Sequence, residues 1–425
     1  LGHSLYVGLG AYAAAGLFFH YGIGPWAGVW VAIAICVAAG VVIGFLAFRF
    51  GISGVYFALL TIAFAEFTRI GFDQARRILE EAGARRRLPA ERIPLAKAHG
   101  RVLAQSLAAT LAQPGFDNSA MDGFAVRHAD LDADGETALT LVGEQFAGRT
   151  QSLAVGAGEC VRVTTGAPLP VGADTIVMKE NTRIDGRHVR VLQMPKPGQH
   201  VRRAGEDVRI GDALLAQGQM LTPSRIALAA GQGVDRLEVA RRPTIAVFTT
   251  GDELVEPGLP LRAGELYNSN RELLMGLLRA DGYEPVMWPN LADDPATIDA
   301  GLRHAGHAFD VVITCGGVSA GEKDLIPSLL QAEGQVHFWK VRMKPGMPVL
   351  FADGGRLGEA MFLCLPGNPV SVLATYLTLG RTLLDGLQGR AQARATVRAR
   401  LGTGWGESDV RLKFLRARRY CDDQG

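Results

Sequence analysis

From Leu1 to Phe48 the sequence contains no Asp, Glu, Lys or Arg. A soluble core helix does not run uncharged over such a length. Cysteine is scarce and scattered: Cys36, Cys160, Cys315, Cys364 and Cys421 form no C-x-x-C pair and no metal-ligand spacing. That argues against a disulfide framework and suits a reducing compartment. Net charge is nearly absent, +2 over 425 residues, so nothing points to a nucleic-acid binder. No basic segment precedes the first apolar run, as a cleavable signal would require. Leu1 is not an initiator methionine, and a cut N-terminus is expected. Glycine, by contrast, is abundant at 53 residues. In an α/β protein such richness marks tight turns and close backbone approaches to a ligand.

The uncharged stretch holds two candidate membrane helices, "SLYVGLGAYAAAGLFFHYGI" (4–23) and "WAGVWVAIAICVAAGVVIGFLAF" (26–48). The second is long enough to cross about 30 Å of hydrocarbon, and the first is rich in small residues that allow close helix packing. A third run, 54–70, is shorter and carries Glu66 and Arg69, as a span reaching the interface or a re-entrant piece would. Arginines concentrate at its end and after it (Arg69, then Arg76, Arg77, Arg85, Arg86, Arg87). An inserted segment would therefore leave the rest of the chain in the cytoplasm, tethered to the inner face of the membrane.

From about residue 72 the pattern is globular. "QARRILEEAG" predicts a helix capped by Gly83, and "RIPLAKAHGRVLAQSLAA" a second short helix running into an extended segment. Short alternating runs between 137 and 215, punctuated by Gly, Pro and Asp, predict a small mostly-β domain. At Pro243 the pattern changes to strands alternating with helices. Asn and Ser start the helix in "NSNRELLMGLLRADG", and Asp294 and Pro295 start the one in "DPATIDAGLRHAG". This predicts a mostly parallel sheet with helices on both faces, whose ligands sit at the carboxyl ends of its strands.

Three features there carry chemistry. The turn "TCGGVSAGEKD" offers Gly316, Gly317, Ser319 and Gly321 between strand and helix, where backbone N–H groups can approach a phosphate; a plain tight turn is the alternative. Asp252, Glu253, Asp293, Asp294 and Asp324 all fall in strand-end loops. Such acids can surround Mg²⁺ or a donor-rich heterocycle, or serve as helix caps and solvated loop residues. Lys340 and Lys344 could flank an oxyanion or be surface charges. Outside this region, "PGFDNSAMDGFAV" (114–126) packs polar and apolar residues too densely for any simple period, which suggests a site or a capped turn.

"FDNSAMDGFA", "RVTTGAPLPVGADTIVMKE", "RRAGEDV", "TTGDEL", "TCGGVSAGEKD", "KPGMP" and "LPGNPVSV", in this order over about 72–420, closely resemble the molybdopterin molybdenumtransferase family (MoeA type, shared with the E domain of gephyrin). The resemblance implies an α/β multidomain protein. Its parts would be a discontinuous first domain (72–109 and 210–242), a β-rich domain (110–209), a three-layer molybdopterin-binding domain (243–390) and a truncated β-barrel-like domain (391–425). It also implies insertion of molybdate into adenylylated molybdopterin with release of AMP, aided by Mg²⁺ (or Zn²⁺). The substrate would come from a molybdopterin adenylyltransferase, and the chain would work as a homodimer whose cleft forms between subunits. Carried over by motif, Asp122, Thr165, Asp207, Glu253 and Asp324 occupy active-site positions, as do Asp293 or Asp294, Lys340, Lys344, Pro366 and Pro369. Phe124, Cys315, Ala320 and Met347 depart from the usual motifs, and Phe124 and Met347 each remove a polar group.

"LGHSLYVGLGAYAAAGLF" and "FRFGISGVYFALLTIAFAEFTR" (1 to about 70) are similar instead to the branched-chain amino-acid ABC-transporter permease family (LivM type). Two or three spans cannot enclose a substrate path, so an all-α transmembrane fragment (1–71) is expected at most to anchor. No Gly/Ser or Pro linker separates it from the enzyme-like region, and we expect two joined sequences, a chimera, rather than a membrane-tethered enzyme. Adenylylation of molybdopterin and a gephyrin-like scaffold are the competing functions.

Overall fold

The computed structural model describes residues 71–132, 136–148, 153–319, 325–391, 393, 394, 396, 397, 411–415 and 417, with five helical positions between 30 and 37. Apart from those five, the expected membrane spans lie outside the described residues. Among the described residues no helix is long and apolar enough to cross a membrane. Most of the expected C-terminal β domain also lies outside; its described residues include a short strand, Leu412–Lys413, parallel to Met343–Lys344. The described chain forms two compact units.

Helix α1 (Phe72–Arg85) opens the first unit, which also contains Arg241–Arg390. Gly83 does not cap this helix. It is buried in the last turn, where a Cβ would stand 2.8 Å from Cα of Gly386. The glycine serves contact between two helices, a use that a cap pattern cannot distinguish.

The second unit spans Ala90–Ala240. Its six-stranded sheet is built from β1 (Gly123–Val126), β2 (Thr137–Gln145), β3 (Glu159–Val163), β4 (Thr175–Met178), β5 (Thr182–Asp185) and β6 (His188–Val191), in the order β4-β1-β3-β2-β6-β5. Phe124 and Val126 enter one apolar cluster and Ala125 another, the period of two expected of a strand buried on both faces. A separate core joins Ile93, Leu103, Leu215, Leu221, Leu237 and Val239 around α2 (Pro223–Gly231). The helix expected over "RIPLAKAHGRVLAQSLAA" is not there. Ala90–Pro94 is a strand antiparallel to Arg236–Ala240, followed by one 3₁₀ turn. Pro94 disfavours helix in the residue before it, and pairing with a partner some 145 residues away, as between Arg92 and Glu238, overrides local propensity.

The first unit carries a mixed sheet of β7 (Ile245–Thr249), β8 (Val286–Met287), β9 (Val311–Cys315), β10 (Gln335–Trp339), β11 (Leu350–Asp353) and β12 (Met361–Leu365). Its order is β8-β7-β9-β12-β11-β10. The first four strands are parallel, and the last two pairings are antiparallel. Every residue of β7, β9 and β12 is buried, as in strands covered on both faces. Ile245, Val247, Val311 and Leu363 pack against α1, α3 (Ser269–Ala280), α6 (Pro369–Thr375) and α7 (Arg381–Leu387). Ala246, Phe248, Val312 and Phe362 face α4 (Pro295–Ala308) and α5 (Leu325–Glu333). The expected three-layer α/β arrangement is thus present, and it brings three strand ends together.

Candidate functional site

The carboxyl ends of β7, β9 and β12 surround a cavity of about 280 Å³ lined by Thr250, Glu253, Asn270, Asp293, Gly316, Gly317, Ser319, Pro366 and Gly367, among others. Gly316 and Gly317 have φ of +95° and +62°. Both are left-handed conformations that glycine alone adopts readily. Neither could carry a side chain, since a Cβ would lie 2.7 Å from the Thr250 carbonyl oxygen and 2.7 Å from Thr250 Oγ1, respectively. The turn is tied to the sheet by Gly316 N–H donating to Leu365 O at 3.1 Å.

The acids divide by use. Glu253 and Asp293 line the cavity. Asp252 Oδ1 accepts from Asp293 N–H at 3.0 Å. Asp294 Oδ2 accepts from Thr297 N–H at 2.8 Å and Oγ1–H at 2.7 Å, so it caps α4, and these bonds hold its carboxyl below the usual range. Gly321 and Asp324 lie outside the described residues. No group of three or more His, Cys, Asp or Glu able to hold a metal ion occurs among the described residues. Pro369 begins α6, behind the capping Asn368. Lys340 follows β10 at φ +71°, and Lys344 is exposed in the strand Met343–Lys344.

Two lining residues escaped the sequence pattern. Thr250 Oγ1 and Asn270 Oδ1 are buried with no hydrogen-bond partner among the described residues, an arrangement costly unless something satisfies them. Asn270 Nδ2 donates to Gly367 O at 2.5 Å. A carbonyl only accepts, so the amide nitrogen must face Gly367, and Oδ1 is left as the acceptor. The "NSN" triplet was legible only as a helix start, a role that Asn268 fills. Cys315 also lines the cavity, but burial pushes its thiol up to about 12, which disfavours a thiolate nucleophile.

In the second unit, Asp122 Oδ1 accepts from Thr165 N–H at 2.8 Å and Thr165 Oγ1–H at 2.9 Å, with Lys179 Nζ at 3.8 Å from Oδ2. The Thr165 bonds, the backbone one first, lower its pKa below the ordinary carboxylate value. Asp207 pairs with Arg202, which also binds Glu206 at 2.8 Å. The strand Val201–Arg202 pairs with Asn118–Ser119, so "FDNSAMDG" and "RRAGEDV" form one structure. Arg203 bridges them through Asp117 at 2.7 Å. Asp122, Thr165 and Asp207 thus occupy ordered, hydrogen-bonded loops.

Fold and cavity together define an α/β protein of the doubly wound kind, with a candidate ligand site at the carboxyl ends of its parallel strands. Residues 246–386 match the family described as "Probable molybdopterin binding domain", and 70–233 match "MoeA N-terminal region (domain I and II)". A molybdopterin molybdenumtransferase of Haemophilus influenzae is 39% identical over 345 residues, covering 79% of this chain and 82% of that protein. One from Nostoc is 36% identical over 71% of this chain and 70% of that protein. The crystal structure titled molybdopterin biosynthesis MoeA protein from Pyrococcus horikosii aligns with a TM-score of 0.64 at 27% identity, over 76% of this chain and 81% of that one. The chain belongs to the molybdopterin molybdenumtransferase family. Residues 1–86 separately match "Branched-chain amino acid transport system / permease component", in agreement with the resemblance of the uncharged N-terminal stretch.

Proposed function

We infer that this chain inserts molybdenum into adenylylated molybdopterin, consuming molybdate and releasing AMP. The observation that carries it is the cavity at the ends of β7, β9 and β12, with a left-handed glycine turn on one wall and two carboxylates on the others, in a chain of this family. In this proposal the N–H groups of Gly317 to Ser319 and the Lys340 and Lys344 ammoniums hold phosphate or molybdate oxygens. Asn270 Oδ1 and Glu253 accept from the N–H edge of the pterin, Pro366 shapes the wall, and Pro369 starts the helix that follows it. Asp324 and Gly321 belong to the same proposal through the motif "TCGGVSAGEKD" alone. Asp122, Thr165 and Asp207 also act, and a homodimer belongs to the same proposal, supported by family membership.

Mg²⁺ (or Zn²⁺) would find Glu253 and Asp293 at the cavity wall, with substrate oxygens and water filling the remaining positions. When bound, it would neutralise charge on the phosphoanhydride. The buried thiols suit the cytoplasm as the place of action.

The test is AMP release by the purified chain from adenylylated molybdopterin, with molybdate and divalent cation omitted in turn. Release that requires molybdate supports the proposal. Consumption of ATP without molybdate would reassign the chain to adenylylation, and no release at all from a folded sample would leave a scaffold.

A further inference from the structure

Trp339, the last residue of β10, joins two parts of the proposed site. Its indole Nε1–H donates to Val318 O at 3.0 Å, within the turn that follows Gly316 and Gly317. The Lys340 ammonium lies 4.5 Å from the centre of the same ring, a cation–π contact. Lys340 is itself held at φ +71°, a conformation that non-glycine residues rarely adopt and that persists only where surroundings impose it. Here its N–H donates to Val349 O at 3.0 Å, and the indole supports its side chain. One aromatic ring therefore touches both the glycine turn and the lysine.

We propose that Trp339 is a positioning residue, fixing the Gly316–Ser319 turn and the Lys340 ammonium in one arrangement so that both meet the same anionic group of the substrate. This rests on the function proposed above, and it names the anion-holding part of that site. Phosphate and molybdate share the relevant chemistry, a compact oxyanion that accepts from N–H groups and a cation. Simple packing is the competing role, since Trp339 is also partly buried against the core beneath.

Trp339→Phe removes the N–H and keeps a ring. Hydrogen exchange of the peptide spanning the turn should speed up by about fivefold, the factor a single neutral hydrogen bond contributes. Unchanged exchange overturns the link to Val318, and it does so whether or not the chain releases AMP. The same variant should raise KM by a similar factor with kcat retained, where a packing role would only lower the melting temperature. Trp339→Leu removes the ring as well. Lys340→Ala should then cost less in kcat/KM in the Trp339→Leu background than in the wild type, and full additivity overturns the shared arrangement. If Trp339→Leu fails to fold, exchange and KM of Trp339→Phe decide the matter. A wild type without AMP release refutes the function, while the exchange experiment still judges Trp339.

Discussion

Gly316→Ala should damage both stability and activity. At φ +95° an alanine costs about 1–2 kcal/mol for its left-handed backbone. Its Cβ would also lie 2.7 Å from the Thr250 carbonyl oxygen and 3.0 Å from Thr250 Oγ1. The carbonyl belongs to the backbone directly after a fully buried strand and cannot swing aside. Overlap of that kind costs about 1–3 kcal/mol. A combined loss of about 3 kcal/mol corresponds to a fall in melting temperature of about 6–12 °C for a unit of this size. Gly276→Ala supplies the opposite sign. It is exposed within α3 with nothing within 4 Å of its Cβ, so alanine should stabilise by about 0.5–1 kcal/mol. Thermal unfolding followed by circular dichroism, with substrate KM measured alongside, is the assay. An unchanged midpoint and KM for Gly316→Ala would refute the geometry assigned to the turn.

Thr250→Val replaces a buried hydroxyl that has no partner among the described residues; stability should be equal or higher by thermal melting, while KM rises about fivefold if the substrate uses that hydroxyl. Asp294→Ala should lose about 1 kcal/mol of stability as a cap and Asp294→Ser should restore it, with activity retained, whereas Asp293→Asn should lower the rate without moving the melting temperature; the reverse pattern would assign the chemistry to Asp294. Asp122 has a folded-state pKa below the ordinary 3.8, so its contact with Thr165 is present above that value and is lost as pH falls through the lower folded one. Carbon-13 titration of the Asp122 carboxyl should show the depression, and Thr165→Val should relieve part of it by removing the hydroxyl while keeping the N–H bond; an Asp122 that titrates at the ordinary value would contradict the hydrogen bonding.

The alternation of buried strands and helices after Pro243 was legible because each element carries its own period and punctuation. Asn268 and Asp294, read as helix starts, do cap α3 and α4. Positions whose role depends on a distant partner were not legible. Gly83 has the signature of a helix cap and is instead a point of contact with Gly386. Residues 90–94 carry no strand signal strong enough to reveal their pairing with 236–240. At the site, the glycine turn and Glu253 were visible as motif. Thr250 and Asn270 were not, because an unpartnered hydroxyl or amide oxygen is a property of the folded surroundings. The acid-rich loops looked alike in sequence, yet Asp294 caps a helix while Glu253 and Asp293 line the cavity.

The central claim is that this chain couples molybdenum insertion to AMP release. The most direct measurement incubates it with adenylylated molybdopterin and molybdate and determines, in one sample, the AMP released by chromatography and the molybdenum bound to the pterin product by mass spectrometry. One AMP for each molybdenum inserted is the predicted result. Release of AMP without molybdenum in the product, or molybdenum bound without release of AMP, would contradict it.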